Sequence, residues 1–159
     1  CQVQPKQRGD IVISSNGGYP LDQNIYQSVK GLTAAEAAAA PGAVLIMVSS
    51  CSEGHGGESF YHALRDCVSP QKLTEQILAT PQDKTLPDQW EYQILCRVLN
   101  KHHVIYVTDP AQRKIIEDMK IAWAPDVDTA LQEAKSIKGE ESHLVVIPNG
   151  ISVMVRESN

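Results

Sequence analysis

Two short segments of this chain, residues 43–48 and 104–107, are apolar at every position. Strands buried on both faces show this pattern, because helices cover both sides of a parallel sheet. Helix-like and strand-like segments alternate along the rest of the chain, which predicts a single α/β domain over residues 1–159. We expect a three-layer sandwich with a mostly parallel central sheet. The predicted strands are 10–15, 43–49, 103–108, a short run near 121, 144–148 and 151–155, and the predicted helices are 23–30, 33–40, 58–66, 70–79, 87–100, one opening near 110, and 127–137.

The last two predicted strands are joined by Asn149 and Gly150. An Asn-Gly pair between two short apolar runs favours a type I′ turn, in which both central residues take positive φ. The sequence therefore predicts a C-terminal β-hairpin, with residues 144–148 and 151–155 pairing as antiparallel strands at one edge of the sheet.

A strand, a glycine turn and a helix follow each other directly near the start of the chain. Residues 10–15 are strand-like, Gly17 and Gly18 allow a sharp turn, and Asp22 stands where an N-cap residue would. The helix is predicted to continue to about Lys30. Layouts of this kind build ligand crevices in α/β domains.

The helix that follows this turn has two different faces. Ile25 and Val29 share one face and can pack on the sheet, whereas Gln23, Gln27 and Lys30 cluster on another. A flat anion with hydroxyl or carbonyl oxygens would suit the two amides and the ammonium. On this pattern alone, the polar face can also be an ordinary solvated surface on which Lys30 favours the helix dipole.

A second glycine cluster, residues 51–59, follows the predicted strand 43–49 and opens a helix. It lacks the Lys-Ser/Thr ending of a phosphate loop, and Ser59 replaces the third glycine of a dinucleotide fingerprint. These glycines either form a ligand-binding turn or simply allow a strand to turn into a helix. If the first two strands are neighbours, both glycine turns lie at the end of the sheet where α/β domains usually bind ligands.

Composition and motif content exclude several classes of function. The formal net charge is −5 and the basic residues are scattered, so we expect no nucleic-acid partner. No apolar run approaches the length needed to span a bilayer, so we expect no membrane partner. The histidines show no metal-ligand spacing and no serine-nucleophile elbow is present, so neither a metal site nor hydrolytic chemistry is expected in this domain.

The four cysteines, Cys1, Cys51, Cys67 and Cys96, show no C-x-x-C spacing. Cys67 and Cys96 lie within apolar helical patterns, where a free thiol behaves as a small hydrophobic group. This usage predicts a reducing compartment, the cytoplasm. The chain begins at Cys1 rather than Met and shows no leader segment, so we expect it to be part of a longer protein.

A resemblance to a known family is carried by residues 16–64, which read NGGYPLDQNIYQSVKGLTAAEAAAAPGAVLIMVSSCSEGHGGESFYHAL. This segment closely resembles the C-terminal domain of the nickel-dependent lactate racemase family. The resemblance implies a two-domain racemase or epimerase of 2-hydroxy acids, whose N-terminal domain holds a nickel-pincer nucleotide and the catalytic histidines. It also implies that a hydride leaves C2 of the substrate for the cofactor and returns to either face. The present domain would close over substrate at the interdomain cleft and would be inactive alone.

The resemblance also assigns substrate contacts. The family's Gln-x-x-Lys pair falls on Gln27 and Lys30, where an ammonium would balance the substrate carboxylate and an amide would hydrogen-bond its oxygens. Tyr26, which precedes the pair, either packs in the core or borders the cleft. A family tryptophan that borders the substrate corresponds to Trp90, whose alternative role is an ordinary packing anchor. Trp123 is assigned to the core.

Two functions of other classes stay open at this point. A non-catalytic α/β module that binds small anions or partner proteins would keep the crevice without the chemistry. A crotonase-like acyl enzyme would need an oxyanion hole built from backbone N–H groups of the glycine turns, and no acid/base pair accompanies those turns.

Overall fold

Strands and helices alternate along the chain in the structure, a computed structural model that describes residues 2–156. The strands are β1 (Gln2–Val3), β2 (Gly9–Ser15), β3 (Ala39–Val48), β4 (His103–Val107), β5 (Ala122–Ala124), β6 (Leu144–Ile147) and β7 (Met154–Val155). The helices are α1 (Ile25–Ala38), α2 (Glu58–Asp66), α3 (Pro70–Ala79), α4 (Gln89–Lys101), α5 (Arg113–Asp118) and α6 (Val127–Lys138). Short 3₁₀ turns at Gln82–Lys84 and Pro110–Gln112 precede α4 and α5.

Five parallel strands form the central sheet, in the order β5-β4-β3-β2-β6. β3 lies at its centre and pairs with β2 on one side and with β4 on the other. Side chains alternate along β3, so that Leu45 and Met47 join one apolar cluster whereas Val44 and Ile46 join another. Both faces of this strand are buried, which explains why it is apolar at every central position.

Helices cover both faces of the sheet. The larger apolar cluster joins one face to α1, α2 and α4 through side chains such as Leu32, Phe60 and Leu95. The smaller cluster joins the opposite face to α6 through Ala130 and Ala134. The predicted α/β class, its three layers and its mostly parallel central sheet are confirmed.

The C-terminal strand is present, but the predicted β-hairpin is not formed. β6 pairs in parallel with β2, and β7 pairs in parallel with β1 in a separate two-stranded sheet. The N–H group of Gly150 donates to the carbonyl of Ser15 at 2.7 Å, and Asn149 forms an isolated antiparallel bridge with Asn16. The Asn-Gly turn therefore docks on the end of β2, which leads the chain away from β6 instead of back along it.

The boundaries of α1 differ from the prediction. Asn24, not Asp22, is the N-cap residue, because the Asn24 side chain accepts a hydrogen bond from the N–H group of Gln27 at 2.9 Å. The Asp22 carboxylate instead accepts from the backbone N–H group of Ser50 at 3.1 Å. The two segments predicted as separate helices join into one, which ends at Ala38.

Three cysteines within the described residues, Cys51, Cys67 and Cys96, are free thiols, and Cys1 lies outside the described residues. Burial raises the pKa of Cys51 to about 11 and that of Cys96 to about 12. Both side chains are therefore protonated, unreactive thiols of the core. Within residues 2–156, no helix combines the length and the apolar character needed to cross a bilayer.

Candidate functional site

The two glycine turns meet at the carboxyl end of the sheet, as expected for neighbouring parallel strands. The N–H groups of Ile25 and Tyr26, at the start of α1, donate to the carbonyls of Gly54 and His55 at 3.1 Å each. The next N–H group, that of Gln27, is taken by the N-cap side chain. These bonds satisfy the donors that a helix N-terminus would otherwise offer to an anion. The second glycine cluster therefore has a structural role.

A crevice of about 480 Å³ lies at this end of the sheet. Two carboxylates and several hydroxyl groups dominate its polar lining, which comes from Ser15, Asp22, Ser49, Ser50, Thr108 and Asp109. The carboxylates would repel an anionic ligand. The side chains assigned by resemblance lie outside this lining, so the candidate substrate site is not in this crevice.

Gln27 and Lys30 lie together on the outward side of α1. The Nζ atom of Lys30 donates to Oε1 of Gln27 at 2.6 Å. Lys30 is exposed and Gln27 is half-buried, whereas Ile25 and Val29 are buried. An ammonium has three donors, so this bond leaves two for a ligand. Gln27 and Lys30 therefore share a face as the spacing predicts, whereas Gln23 lies before the helix begins and is not part of that face.

Tyr26 and Trp90 form an aromatic wall beside this pair. Their rings meet edge to face, with centroids 5.8 Å apart and planes at 87°. On its other side, Tyr26 packs edge-on against the buried ring of Phe60 at 5.4 Å. Tyr26 and Lys30 are four residues apart on α1 and are therefore neighbours on the helix surface. The four assigned side chains thus form one continuous patch, named the α1–α4 patch below: Tyr26, Gln27, Lys30 and Trp90.

Tyr26 packs against the core with its ring and forms a hydrogen bond through its hydroxyl group. Its ring is half-buried against Phe60, and its hydroxyl group donates to Oδ1 of Asp88 at 3.4 Å. Burial, together with the charges of Asp88 and Glu91, raises the pKa of Tyr26. The phenol therefore stays protonated and can donate a hydrogen bond. Trp90 is 54% exposed, so most of its ring surface is free for a ligand or another domain.

Asn16 and Gly31 hold α1 close to the end of β2. The buried Asn16 side chain donates from Nδ2 to the carbonyl of Gln27 at 2.8 Å. A Cβ atom at Gly31 would collide with Oδ1 of Asn16 and would come within 3.1 Å of the carbonyl oxygen of Ser15. Only glycine permits this approach. It fixes the position of Gln27 and Lys30 relative to the sheet.

Glu91, in the first turn of α4, is a buried carboxyl group next to Trp90 that the motifs do not identify. Its side chain is 1% exposed, and its Oε1 atom has no hydrogen-bond partner among the described residues. Burial raises the pKa of Glu91 to about 7; the Lys30 ammonium opposes this rise and the Asp88 carboxylate adds to it. The available signal is helical spacing, since Glu91, Leu95 and Val98 follow the buried face of α4.

The sequence of this chain matches one known family of proteins. The sequence model of one family, described as the lactate racemase C-terminal domain, matches residues 4–155. The chain belongs to this family. The matched range includes the α1–α4 patch.

Known lactate racemases align with nearly the whole of this lactate racemase C-terminal domain. The lactate racemase of Thermoanaerobacterium thermosaccharolyticum is 53% identical over 148 residues, which are 93% of this chain and 35% of that protein. The lactate racemase of Lactiplantibacillus plantarum is 48% identical over 147 residues, which are 92% of this chain and 35% of that protein. The solved structure of the lactate racemase apoprotein from T. thermosaccharolyticum matches with a TM-score of 0.95 and 52% identity, over 98% of this chain and 37% of that one. The chain therefore spans little more than a third of these relatives.

The described part of this lactate racemase C-terminal domain does not fit a nickel centre. Within residues 2–156, no group of three or more His, Cys, Asp or Glu side chains is arranged to hold a metal ion. His55 and His62 each approach the exposed Glu58, with nitrogen–oxygen distances of 3.7 and 3.5 Å. These are weak surface pairs.

Proposed function

We propose that this domain covers a 2-hydroxy acid at a cleft shared with the N-terminal domain of a longer racemase or epimerase. The family supports the enzyme class, and the 35% share of the relatives' length supports a further domain. The observation that carries the proposal is the pair of Lys30 and Gln27, which are hydrogen-bonded at 2.6 Å on an open face of α1 beside Trp90. Lactate is the first substrate to test.

Lys30 and Gln27 bind and orient the substrate in this proposal. The Lys30 ammonium pairs with the substrate carboxylate through the donors left beside its bond to Gln27. The Gln27 amide donates to a carboxylate or hydroxyl oxygen of the same molecule. Both interactions gain strength when the cleft closes and water leaves, because charges interact more strongly at low dielectric.

Trp90 and Tyr26 supply the wall that excludes water. Their edge-to-face contact at 5.8 Å holds the Trp90 ring against Tyr26, which directly precedes Gln27 and lies four residues before Lys30. Closure of another domain over the exposed surface of Trp90 would bury that ring and would exclude water from the Lys30 ammonium. The aromatic wall thus strengthens the electrostatic contact made by Lys30.

The redox chemistry of the proposed reaction comes from a nickel-pincer nucleotide, which supplies a hydride acceptor when bound. We assign it to the N-terminal domain, as the resemblance to the lactate racemase family implies. In this proposal, the isolated domain has no racemase activity. The free thiols of Cys51, Cys67 and Cys96 favour a reducing compartment, and we propose the cytoplasm.

Lys30→Ala tests this proposal in the full-length, cofactor-loaded enzyme. Without the ammonium, the substrate carboxylate loses its partner in a desolvated cleft, so kcat/KM for lactate should fall about 100-fold, or about 3 kcal/mol. Folding should be unchanged because Lys30 is exposed. Chiral chromatography of D- and L-lactate measures the first effect, and circular dichroism with thermal unfolding measures the second.

Lys72→Ala is the matched control, because Lys72 is an exposed lysine of α3 that pairs with Glu75 at 2.6 Å. It should leave kcat/KM for lactate close to the wild-type value. Wild-type activity in Lys30→Ala would contradict the role of Lys30. A full-length protein that binds no nickel cofactor and converts no 2-hydroxy acid would support the non-catalytic binding module instead.

A further inference from the structure

Glu91 is a buried carboxyl group that the substrate contacts proposed above do not use. It directly follows Trp90 in the first turn of α4, is 1% exposed, and has an Oε1 atom without a hydrogen-bond partner among residues 2–156. Buried ionisable groups normally have partners, because an unpaired charge away from water is strongly unfavourable. A buried glutamate whose Oε1 atom has no hydrogen-bond partner, next to a residue of a candidate site, indicates a functional role.

α4 packs on α1 at the position of Glu91, because its neighbour Trp90 contacts Tyr26, which lies four residues before Lys30 on α1. The groups that interact electrostatically with Glu91 come from α1, from β4 and from the start of α4. Lys30 and Tyr26 belong to α1, Tyr106 to β4, and Asp88 directly precedes α4. Lys30 and Asp88 are the charged groups that act most strongly on Glu91, and α2, α3 and β3 also pack on α4. Lys30 is the cation among these four groups, and it is also the residue proposed to bind the substrate.

We propose that Glu91 positions Lys30 and competes with the substrate carboxylate for its ammonium, so that substrate binding weakens when Glu91 loses its proton. This inference rests on the proposed function, in which Lys30 binds the substrate. When Glu91 is neutral, the ammonium is available to the substrate. When Glu91 is ionised, it attracts the ammonium towards α4, and the substrate meets a second negative charge.

The two protonation states of Glu91 exchange in the neutral range. Burial raises the pKa of Glu91 to about 7 even though Lys30 acts in the opposite direction. A substrate carboxylate that pairs with Lys30 weakens the interaction that favours the ionised form of Glu91, so binding is accompanied by uptake of a proton. Substrate affinity should therefore be highest below neutral pH and should fall as the pH rises through that range.

The first test compares the wild-type full-length holoenzyme with Glu91→Gln, which keeps the size of the side chain and cannot ionise. Between about pH 6 and about pH 8.5, the KM for lactate should rise about threefold or more in the wild type and should change less than about twofold in Glu91→Gln. The pH dependence should lie mainly in KM and not in kcat. Glu36→Gln is the matched control, because Glu36 of α1 pairs with Arg97 and Lys101 instead. It should keep the wild-type profile.

A second measurement does not depend on turnover. In ¹³C NMR of the full-length protein labelled at glutamate Cδ, Lys30→Met should raise the titration midpoint of Glu91, because the ammonium stabilises the ionised form. Saturating lactate should also raise that midpoint in the wild-type protein. Lys72→Met should leave it unchanged.

The outcomes separate this inference from the proposed function. A Glu91 midpoint that does not move in Lys30→Met overturns the inference, as does a KM profile that is the same in Glu91→Gln and in the wild type. If Glu91→Gln does not fold, the NMR comparison of Lys30→Met with Lys72→Met still decides. A wild-type full-length protein that racemises no 2-hydroxy acid, together with a Glu91 midpoint that still moves in Lys30→Met, would contradict the proposed function and support the coupling of Glu91 to Lys30.

Discussion

Trp90 and Trp123 are two tryptophans in different surroundings. Trp90 is exposed and touches Tyr26 with one ring edge. Trp123, assigned to the core from the sequence, is half-buried: its indole N–H donates to the carbonyl of Thr108 at 3.1 Å, and the Arg113 guanidinium lies 4.9 Å from its ring centroid. Trp90 is therefore available for a ligand, whereas Trp123 contributes to the fold.

This difference predicts that two alanine substitutions affect stability and substrate binding to different extents. Trp90→Ala should lower the free energy of unfolding by about 1 kcal/mol, the value of one aromatic pair. It should raise the KM for lactate in the full-length enzyme about tenfold, or about 1.4 kcal/mol. Trp123→Ala should lower the free energy of unfolding by about 3 kcal/mol and should leave KM nearly unchanged. Urea unfolding measures the stability of each variant, and lactate kinetics measure its KM. Equal losses of stability in the two variants would contradict the conclusion that Trp123, and not Trp90, contributes mainly to the fold.

The spacing of Gln27 and Lys30 shows what a sequence can predict about a single site residue. A separation of three residues places both side chains on one face whatever the rest of the chain does. Glu91 could not be singled out in this way, because its environment depends on Lys30 and Tyr106, which come close only in the folded domain. The sequence can therefore predict that two residues of one helix share a face. It cannot predict the electrostatic environment of Glu91, because the groups around that residue come from three different elements.

Helix α1 is the element that presents the candidate site, and its contact with β2 depends on Gly31. In most helix interiors, replacing glycine by alanine stabilises the protein by about 0.5 to 1 kcal/mol. Gly31→Ala should do the opposite and lower the free energy of unfolding by about 2 kcal/mol, because the new Cβ meets Asn16 Oδ1 and the Ser15 carbonyl. Urea unfolding shows whether Gly31→Ala lowers or raises the free energy of unfolding. Thr33→Ala, on the outward side of the same helix, is the control and should have little effect; a stabilised Gly31→Ala would disprove the close contact.

The elements of the sheet show where prediction from sequence succeeds and where it fails. β3 is predictable because burial on both faces leaves a continuous apolar run. The pairing of the last strand is not, because the Asn-Gly signal describes only a local turn. The actual position of that turn is set by Gly150, where a Cβ would come within 2.7 Å of Ser14 Oγ and within 2.8 Å of the Cα atom of Gly31. Those contacts come from distant parts of the sequence.

At the scale of the whole molecule, the buried carboxyl group of Glu91 should make global stability depend on pH. Its pKa of about 7 in the folded state lies above the ordinary value of 4.5, so the folded state keeps a proton that the unfolded chain has already lost. The contribution is fully present below about pH 4.5 and is lost as the pH rises through about 7, a total of about 3 kcal/mol.

Urea unfolding of wild type and Glu91→Gln across this range checks the prediction. The wild-type free energy of unfolding should fall relative to that of Glu91→Gln as the pH rises, and the difference should level off above about pH 8. The comparison with Glu91→Gln removes the effects of other groups, such as His102, whose burial lowers its pKa. A constant difference between the two proteins at all pH values would show that Glu91 has an ordinary pKa.

The pairing of β1 with β7 ties the two ends of the described chain together. Gln2 lies beside Met154 and Val3 beside Val155, in a two-stranded sheet that is separate from the central one. Because each strand is the other's partner in that sheet, removal of either one would leave the backbone N–H and C=O groups of the other exposed to water.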